Sequence, residues 1–240
     1  VCSFCLERVP AKIITRGNRV YLLKKCQVHG EMDCLLEEDA DYYLNRHAYD
    51  KPGTASKVQT EVAKGCPFDC GICPQHAQHT CIGLIEITSA CVLACPVCYA
   101  KGGEKNNFLT LEKIEEMMNF YQDSELGKAE ILQLSGGEPA IHPRIIKIIE
   151  LARSKKFKYT MINTNGIRIA RDIEFVKRLS QFKGGFEVYL QFDGFDSESY
   201  KVLRGENILE LKLKAIGNLV KYKIPTTLVV TVARGVNDNQ

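Results

Sequence analysis

From residue 84 onward, short apolar runs alternate with stretches whose apolar positions recur at helical spacing. The runs at 84–88, 131–135, 158–163, 187–192 and 226–232 read as strands. Thr110 can cap a helix reaching about Gln122, with Leu111, Ile114, Met118 and Tyr121 on one face. Pro143 can open a second, with Ile145, Ile148, Ile149 and Ala152 inward. Residues 172–182 and 208–222 supply two more, the latter aligning Leu211, Ala215 and Leu219. Such βα alternation predicts a parallel sheet covered by helices.

Upstream the pattern changes. Residues 13–15 and 20–23 read as two short strands around the turn "RGN". Residues 47–83 are rich in glycine, proline and polar side chains and predict little regular structure. Three segments are therefore expected: a small unit at 1–46, a cysteine-rich stretch at 47–83 and the βα core at 84–240. Val1 is not a methionine, and the series stops at "GVNDNQ" after the fifth strand, so both ends read as cut.

The 240 residues are 45% hydrophobic and 25% charged, as in ordinary globular proteins. A net charge of +3 gives no case for a nucleic-acid partner. No apolar run approaches the roughly 20 residues of a membrane span. The eleven cysteines change the picture more. Cys2, Cys5 and Cys26 group with His29; Cys66, Cys70, Cys73 and Cys81 form a second group; Cys91, Cys95 and Cys98 form a third; Cys34 is left over. Thiols this close suit one metal centre better than disulfides, which points to a reducing cytoplasm.

Each group has its own chemistry. The first has the layout of a zinc ribbon or rubredoxin-like site, with His29 as fourth ligand and Cys34 as the alternative. The second, C-x3-C-x2-C-x7-C, has four thiolates and suits a closed cluster, with zinc as the rival; His76 and His79 read as polar loop residues. The third, in "SACVLACPVC", has only three. Three thiolates suit three irons of a 4Fe–4S cube, leaving the fourth iron to a small molecule. A zinc ion would need one more ligand, and no histidine occurs between Cys91 and His142.

Ligands of parallel βα sheets bind at the C-terminal strand ends. There lie "SACVLACPVC", "SGGEP" (135–139), "NTNG" (163–166), "QFDG" (191–194) and "ARGVND". In GGEP the missing β-carbons let main chain approach a ligand, and Glu138 adds an acceptor for an ammonium; alone, the motif is also an ordinary tight turn. Asp193 is a rim residue or a turn cap. His142 reads as a helix cap, Asn237 and Asp238 as site-lining or turn residues, and Tyr189 as core or helix-facing.

C-x3-C-x2-C after the first strand with GGEP after the second resembles the radical S-adenosylmethionine (SAM) superfamily over about residues 84–240. The resemblance implies a partial (β/α)6 barrel, C-terminally truncated here, and a cluster held by Cys91, Cys95 and Cys98. The unique iron would chelate the amino and carboxylate groups of SAM. Gly136, Gly137, Glu138 and Pro139 would hold the methionine end. Thr164, Asn165 and Gln191 are ribose candidates, Asp193 a further cofactor-binding candidate and Arg204 a carboxylate partner. One position departs: the residue before the third cysteine, often aromatic, is Val97, with Tyr99 one place beyond that cysteine. An electron from a ferredoxin or flavodoxin would cleave the sulfonium, giving a 5′-deoxyadenosyl radical that abstracts hydrogen from an unactivated C–H bond.

"KGCPFDCGICPQHAQHTC" running into "IEITSACVLACPVCYA", behind a Cys-Cys-Cys-His ribbon, resembles more narrowly the subfamily containing archaeal tetraether lipid synthase, some of whose members bear the name dihydropterin methyltransferase. It implies a mononuclear iron or zinc in the ribbon, an auxiliary 4Fe–4S cluster and the SAM-binding cluster, with a further cluster beyond residue 240. The leading expectation is radical C–C coupling of isoprenoid lipid tails, which calls for an apolar tunnel and peripheral membrane contact. Methylation or other modification of a pterin-like small molecule is the alternative and calls for a compact polar pocket. A non-enzymatic multi-zinc protein is the third reading.

Overall fold

The computed structural model describes every residue except 51, 52, 55, 66, 67, 70, 75, 77, 99, 101, 102, 104–106 and 240. Two compact units form, Val1–Gly53 and Thr54–Gln240. The cysteine-rich stretch from 54 to 83 thus groups with the second.

In the first unit, strands β1 (Ala11–Arg16), β2 (Arg19–Cys26) and β3 (Gly30–Glu37) make an antiparallel sheet in chain order. The third strand was not expected. Its side chains are mostly exposed, so no alternation marks it in the sequence. A short helix, α1 (Ala40–Asn45), follows, its first turn capped by Asp39, whose carboxylate accepts from the Tyr42 N–H. Cys2, Val20, Cys26 and Ala40 are this unit's buried apolar residues. So small a core cannot hold the sheet unaided, which gives the cysteines a structural task.

The second unit is a parallel sheet, β4 (Ile82–Thr88), β5 (Ile131–Gly136), β6 (Tyr159–Thr164), β7 (Phe186–Gln191) and β8 (Thr226–Val229), hydrogen-bonded in that order. Helices α2 (Leu111–Ser124), α3 (Ile145–Ser154), α4 (Ile167–Arg171), α5 (Ile173–Leu179) and α7 (Leu209–Lys221) supply the connections, with α6 (Ser197–Arg204) inserted before α7. Ile85, Ile87, Leu132, Leu134, Ile162, Val188 and Leu190 point to the helices and build the main core with Ile114, Met118, Ile148, Ile149 and Ala215. The opposite sheet face carries Leu84, Glu86, Gln133, Ser135, Met161, Asn163, Glu187 and Tyr189. The expectation that Tyr189 packs in the core or against helices is corrected here. Strand side chains alternate, and Val188 and Leu190 already occupy the helix side.

Two helices of this unit escaped the sequence reading, as α1 did in the first unit. Helix α4 is a single short element before Asp172, which caps α5 through the Phe175 N–H. Helix α6 starts at the Asp196 cap and stops at Gly205, whose φ is 80°. The fifth strand ends at Val229, short of the expected 232. No helix among the described residues is long and apolar enough to cross a membrane.

Candidate active site and metal centres

The first metal centre is drawn to single-ion dimensions. The ligand atoms of Cys2, Cys5, Cys26 and His29 all lie within 4.8 Å of one another. Cys5 Sγ is 3.9 Å from Cys26 Sγ, and His29 Nδ1 is 3.6 Å from the sulfurs of both Cys2 and Cys26. A tetrahedral ion with thiolate bonds of about 2.3 Å and a slightly shorter imidazole bond requires edges of about 3.5–3.8 Å. The quartet matches. Main-chain N–H groups of Cys5 and Phe4 also draw the Cys2 thiol down to about 6. Cys34 sits exposed on β3, outside the quartet.

Of the second group, Cys66 and Cys70 lie outside the described residues. Cys73 is buried and Cys81 exposed. The loop around them is tied down. Asp69 Oδ2 accepts from the N–H groups of Ala63, Lys64 and Gly65. Ser56 donates to Glu125 at 2.8 Å, and Thr80 N–H reaches the same carboxylate at 3.2 Å. His79 Nδ1 meets Thr54, while its Nε2 stands 3.7 Å from Cys81 Sγ. His76 is exposed.

The third group opens into a cavity of about 180 Å³ at the C-terminal strand ends. Cys91, Cys95 and Cys98 share its wall with Val97, Gly136, Gly137, Glu138, Asn163, Asn165, Gln191, Arg204 and Thr231. Leu93 anchors the cysteine loop by packing with Ile167, Tyr200 and Ile208. The glycine-rich loop is zipped to the chain after β4: Gly137 N–H donates to Thr88 O and Glu138 N–H to Ala90 O, both at 2.8 Å. Burial pushes the Cys91 thiol up, against help from the Leu93 N–H. Burial also pushes Cys95 up, opposed by the Arg204 charge. A bound metal cation would reverse both and ionise the thiols.

Glu138 turns away from the role expected of it. Its Oε1 accepts from Ala140 N–H at 2.9 Å and Thr164 hydroxyl at 2.6 Å, and its Oε2 from Asn165 N–H at 2.7 Å. The carboxylate therefore joins the loops after β5 and β6. Burial raises its pKa, while the three donors and the Lys212 charge pull it back. Thr164 is likewise spent on Glu138 and on accepting the Gly166 N–H, and Pro139 is buried in a short 3-10 turn. Asp193 grips Arg204 through two hydrogen bonds of 2.6 and 2.7 Å. It also takes the Thr231 N–H at 3.1 Å, so it braces Arg204 from behind the cavity wall. Asn237 bonds the Asp193 and Thr231 carbonyls and holds the same corner. His142 is a turn cap: its Nδ1 accepts the Arg144 N–H, which leaves Nε2 to donate to Leu109 O.

Lys212 was missed because it occupies an inward position on an amphipathic helix where an aliphatic residue is expected. It is fully buried, and its Nζ donates to the carbonyls of Asn165 and Gln191, each at 2.7 Å. It thereby ties the ends of β6 and β7 beneath the cavity. Burial, then the Arg204 charge, pulls its ammonium down to about 8, from 10.5 in the open chain. Between those values the unfolded state holds more protons, so stability rises with pH; below about 8 the penalty is present in full. Lys212→Met should abolish that slope. Denaturant midpoints measured across the interval should show wild type gaining on the variant as pH rises. A constant gap would mean that folding leaves the proton affinity of Lys212 unchanged.

The cavity suits a cluster with a polar companion. The three thiols do not form a single-ion group, unlike the N-terminal quartet, as expected where each holds a different iron. Asn163 Oδ1 and Asn165 Nδ2 are buried on the cavity wall without a partner in the described structure. Such orphans call for a polar ligand.

Fold and site thus define a parallel α/β protein that gathers three thiols and a polar cavity wall at its strand ends. The chain belongs to the radical SAM superfamily, whose model matches residues 85–240. A second model, the HMPTM N-terminal zinc ribbon domain, matches residues 1–38. The chain is similar to 7,8-dihydro-6-hydroxymethylpterin dimethyltransferase of Methanocaldococcus jannaschii, with 35% identity over all of this chain and 47% of that protein. A probable GTP 3′,8-cyclase of Pyrococcus horikoshii is 32% identical over 65% of this chain and 48% of its own length. The chain thus spans about half the length of these relatives. Among solved structures, hexahistidine-tagged anSMEcpe with bound AdoMet matches with a TM-score of 0.51 and 25% identity, over 62% of this chain and 42% of that one. Membership of the superfamily implies the 4Fe–4S cluster and SAM.

Proposed function

We propose that this chain is the SAM-cleaving portion of an enzyme that methylates a pterin-like nitrogen heterocycle. The observation carrying this reading is the 35% identity to a pterin dimethyltransferase across the whole chain, ribbon included. The other relative acts, by its name, on GTP. Pterin and guanine share a 2-amino-4-oxopyrimidine ring, so one substrate chemistry accommodates both. The cavity beside the cysteines is small, and Asn163, Asn165, Gln191 and Arg204 place amide and charged groups on its wall beside the apolar Leu93 and Val97, as a compact ligand with a polar edge needs. A larger apolar groove, about 580 Å³ between β4 and α2, has none of the three cysteines on its wall. That counts against lipid coupling, which needs its apolar tunnel at the cluster.

When bound, the cluster and SAM supply one-electron cleavage of a sulfonium and hydrogen abstraction from a substrate C–H bond. This chain's residues do the rest. Cys91, Cys95 and Cys98 would hold three irons, and the main chain of Gly136 and Gly137 lets a ligand lie close. Arg204, braced by Asp193, presents a cation to a carboxylate, and Asn163 and Asn165 present an acceptor and a donor. A ferredoxin or flavodoxin would deliver the electron. Zinc in the N-terminal quartet and a second cluster on Cys66, Cys70, Cys73 and Cys81 belong to the same reading. The test uses the protein carrying this chain, reconstituted without oxygen, with a one-electron reductant and SAM labelled with deuterium in its methyl group. A SAM cleaved to the radical keeps its methyl on methionine, so a second SAM would give its methyl to the substrate carbon, with a further electron from the reductant releasing S-adenosylhomocysteine. Mass spectrometry should then find the label on 6-hydroxymethyl-7,8-dihydropterin. Label-free pterin, with loss of hydrogen from an isoprenoid lipid instead, would sink the reading.

A further inference from the structure

We propose that the Glu86 carboxylate, on the sheet face away from the helices, recognises the N–H and amino edge of a 2-aminopyrimidinone ring. The inference rests on the pterin reading above and assigns the residue that would select the ring.

Strand register makes the surface. Glu86 stands opposite Ser135, Asn163 opposite Tyr189, and Tyr189 opposite Thr227. Asn163 Nδ2 reaches Ser135 Oγ at 3.4 Å, joining the two halves. One polar side chain from each of five strands therefore lies in a single row. Parallel sheets ordinarily bury both faces under apolar side chains. Here Glu86 and Thr227 are exposed and Asn163 and Tyr189 only half-buried, so the polar face is open.

The row leads from the cluster site. Asn163 belongs to it and also lines the cavity holding the three cysteines, with its Oδ1 buried and unpartnered. A molecule lying along the row would satisfy that acceptor and reach the reacting centre at the same time. At the far side of Ser135, Glu86 has no cation within ion-pair distance among the described residues. Glu187, one row below, already accepts from the Thr227 hydroxyl. Glu86 is thus the row's available carboxylate. Two carboxylate oxygens match two parallel N–H donors, the pattern on the amino side of pterin and guanine. Glu86 and Tyr189 are three strand spacings apart, roughly 14 Å. A bicyclic ring can lie over Ser135 and Asn163 in that span, with its substituent toward the Tyr189 ring.

Binding to the reconstituted protein separates the ideas without turnover. The probe is fluorescent 6-hydroxymethylpterin; its 2-oxo analogue, 6-hydroxymethyllumazine, lacks the amino group. Glu86→Gln should weaken pterin binding by about tenfold or more and change lumazine binding by less than about twofold, since one charge-assisted pair is lost. Glu187→Gln should change neither. Iron content and SAM affinity should match wild type in both variants. If wild type binds pterin and Glu86→Gln binds it equally well, the assignment fails while the pterin reading stands. If Glu187→Gln takes the loss instead, the assignment fails likewise. If wild type binds neither probe, the pterin reading falls and takes the assignment with it.

Discussion

Gly137→Ala should lose its iron–sulfur cluster and most of its SAM binding while the sheet still folds. A β-carbon at Gly137 would stand 2.3 Å from Ala90 O and 2.7 Å from Ser89 O, both main-chain atoms with nowhere to go. The clash falls on the zipper that holds the glycine-rich loop to the chain entering the cysteine loop. Relief requires those loops to part, at a cost of about 1–3 kcal/mol for overpacking. The larger effect is geometric, because the cysteines and the glycine loop share one cavity wall. Iron and sulfide per chain after reconstitution, with SAM titration, read the result directly. Gly217→Ala is the control. It lies exposed in α7, its added β-carbon meets nothing within 4 Å, and it should gain about 0.5–1 kcal/mol of stability. Full cluster retention in Gly137→Ala would refute the zipper.

Asp193→Ala should cost about 3–5 kcal/mol, because it strands the Arg204 guanidinium in the interior. The side chains of Arg204 and Asp193 are only 8% and 0% exposed, so water cannot replace the lost partner. Asp193 also accepts the Thr231 N–H and, through its carbonyl, the Asn237 amide. The main-chain carbonyl survives the substitution, so what the corner between β7, α6 and the chain after β8 loses is the carboxylate's bonds to Arg204 and to the Thr231 N–H. The double variant Asp193→Ala, Arg204→Met should recover much of the stability, since no charge is left unpaired. It should not recover SAM affinity, because Arg204 faces the cavity. Urea unfolding and SAM titration on the three proteins separate the two roles. A double variant as unstable as the single would show that the network of hydrogen bonds, not the charge, dominates.

The cysteine spacing, the glycine loop and the strand series were legible because each is a local pattern. Strands β4 to β7 and helices α2, α3, α5 and α7 were foreseen since their apolar faces must pack. Strand β3 was not, for its side chains face solvent. Glu138, Thr164 and Asp193 were expected at the ligand, yet their side chains are spent on one another's loops and on Arg204. A polar residue at a strand end looks the same in sequence whether it holds a ligand or holds its neighbour. Lys212 and Asn163 show the converse, a lysine on a helix face and an asparagine within a strand that acquire meaning only from what lies opposite.

By itself the sequence determined which metals' chemistry was available and in what order the βα units run, because ligand spacing and hydrophobic period are properties of neighbours along the chain. Which carboxylate braces, which amide is left without a partner and which sheet face stays open were decided only by the tertiary structure. Those are relations between segments far apart in the chain, set by register and packing, and no local pattern encodes them.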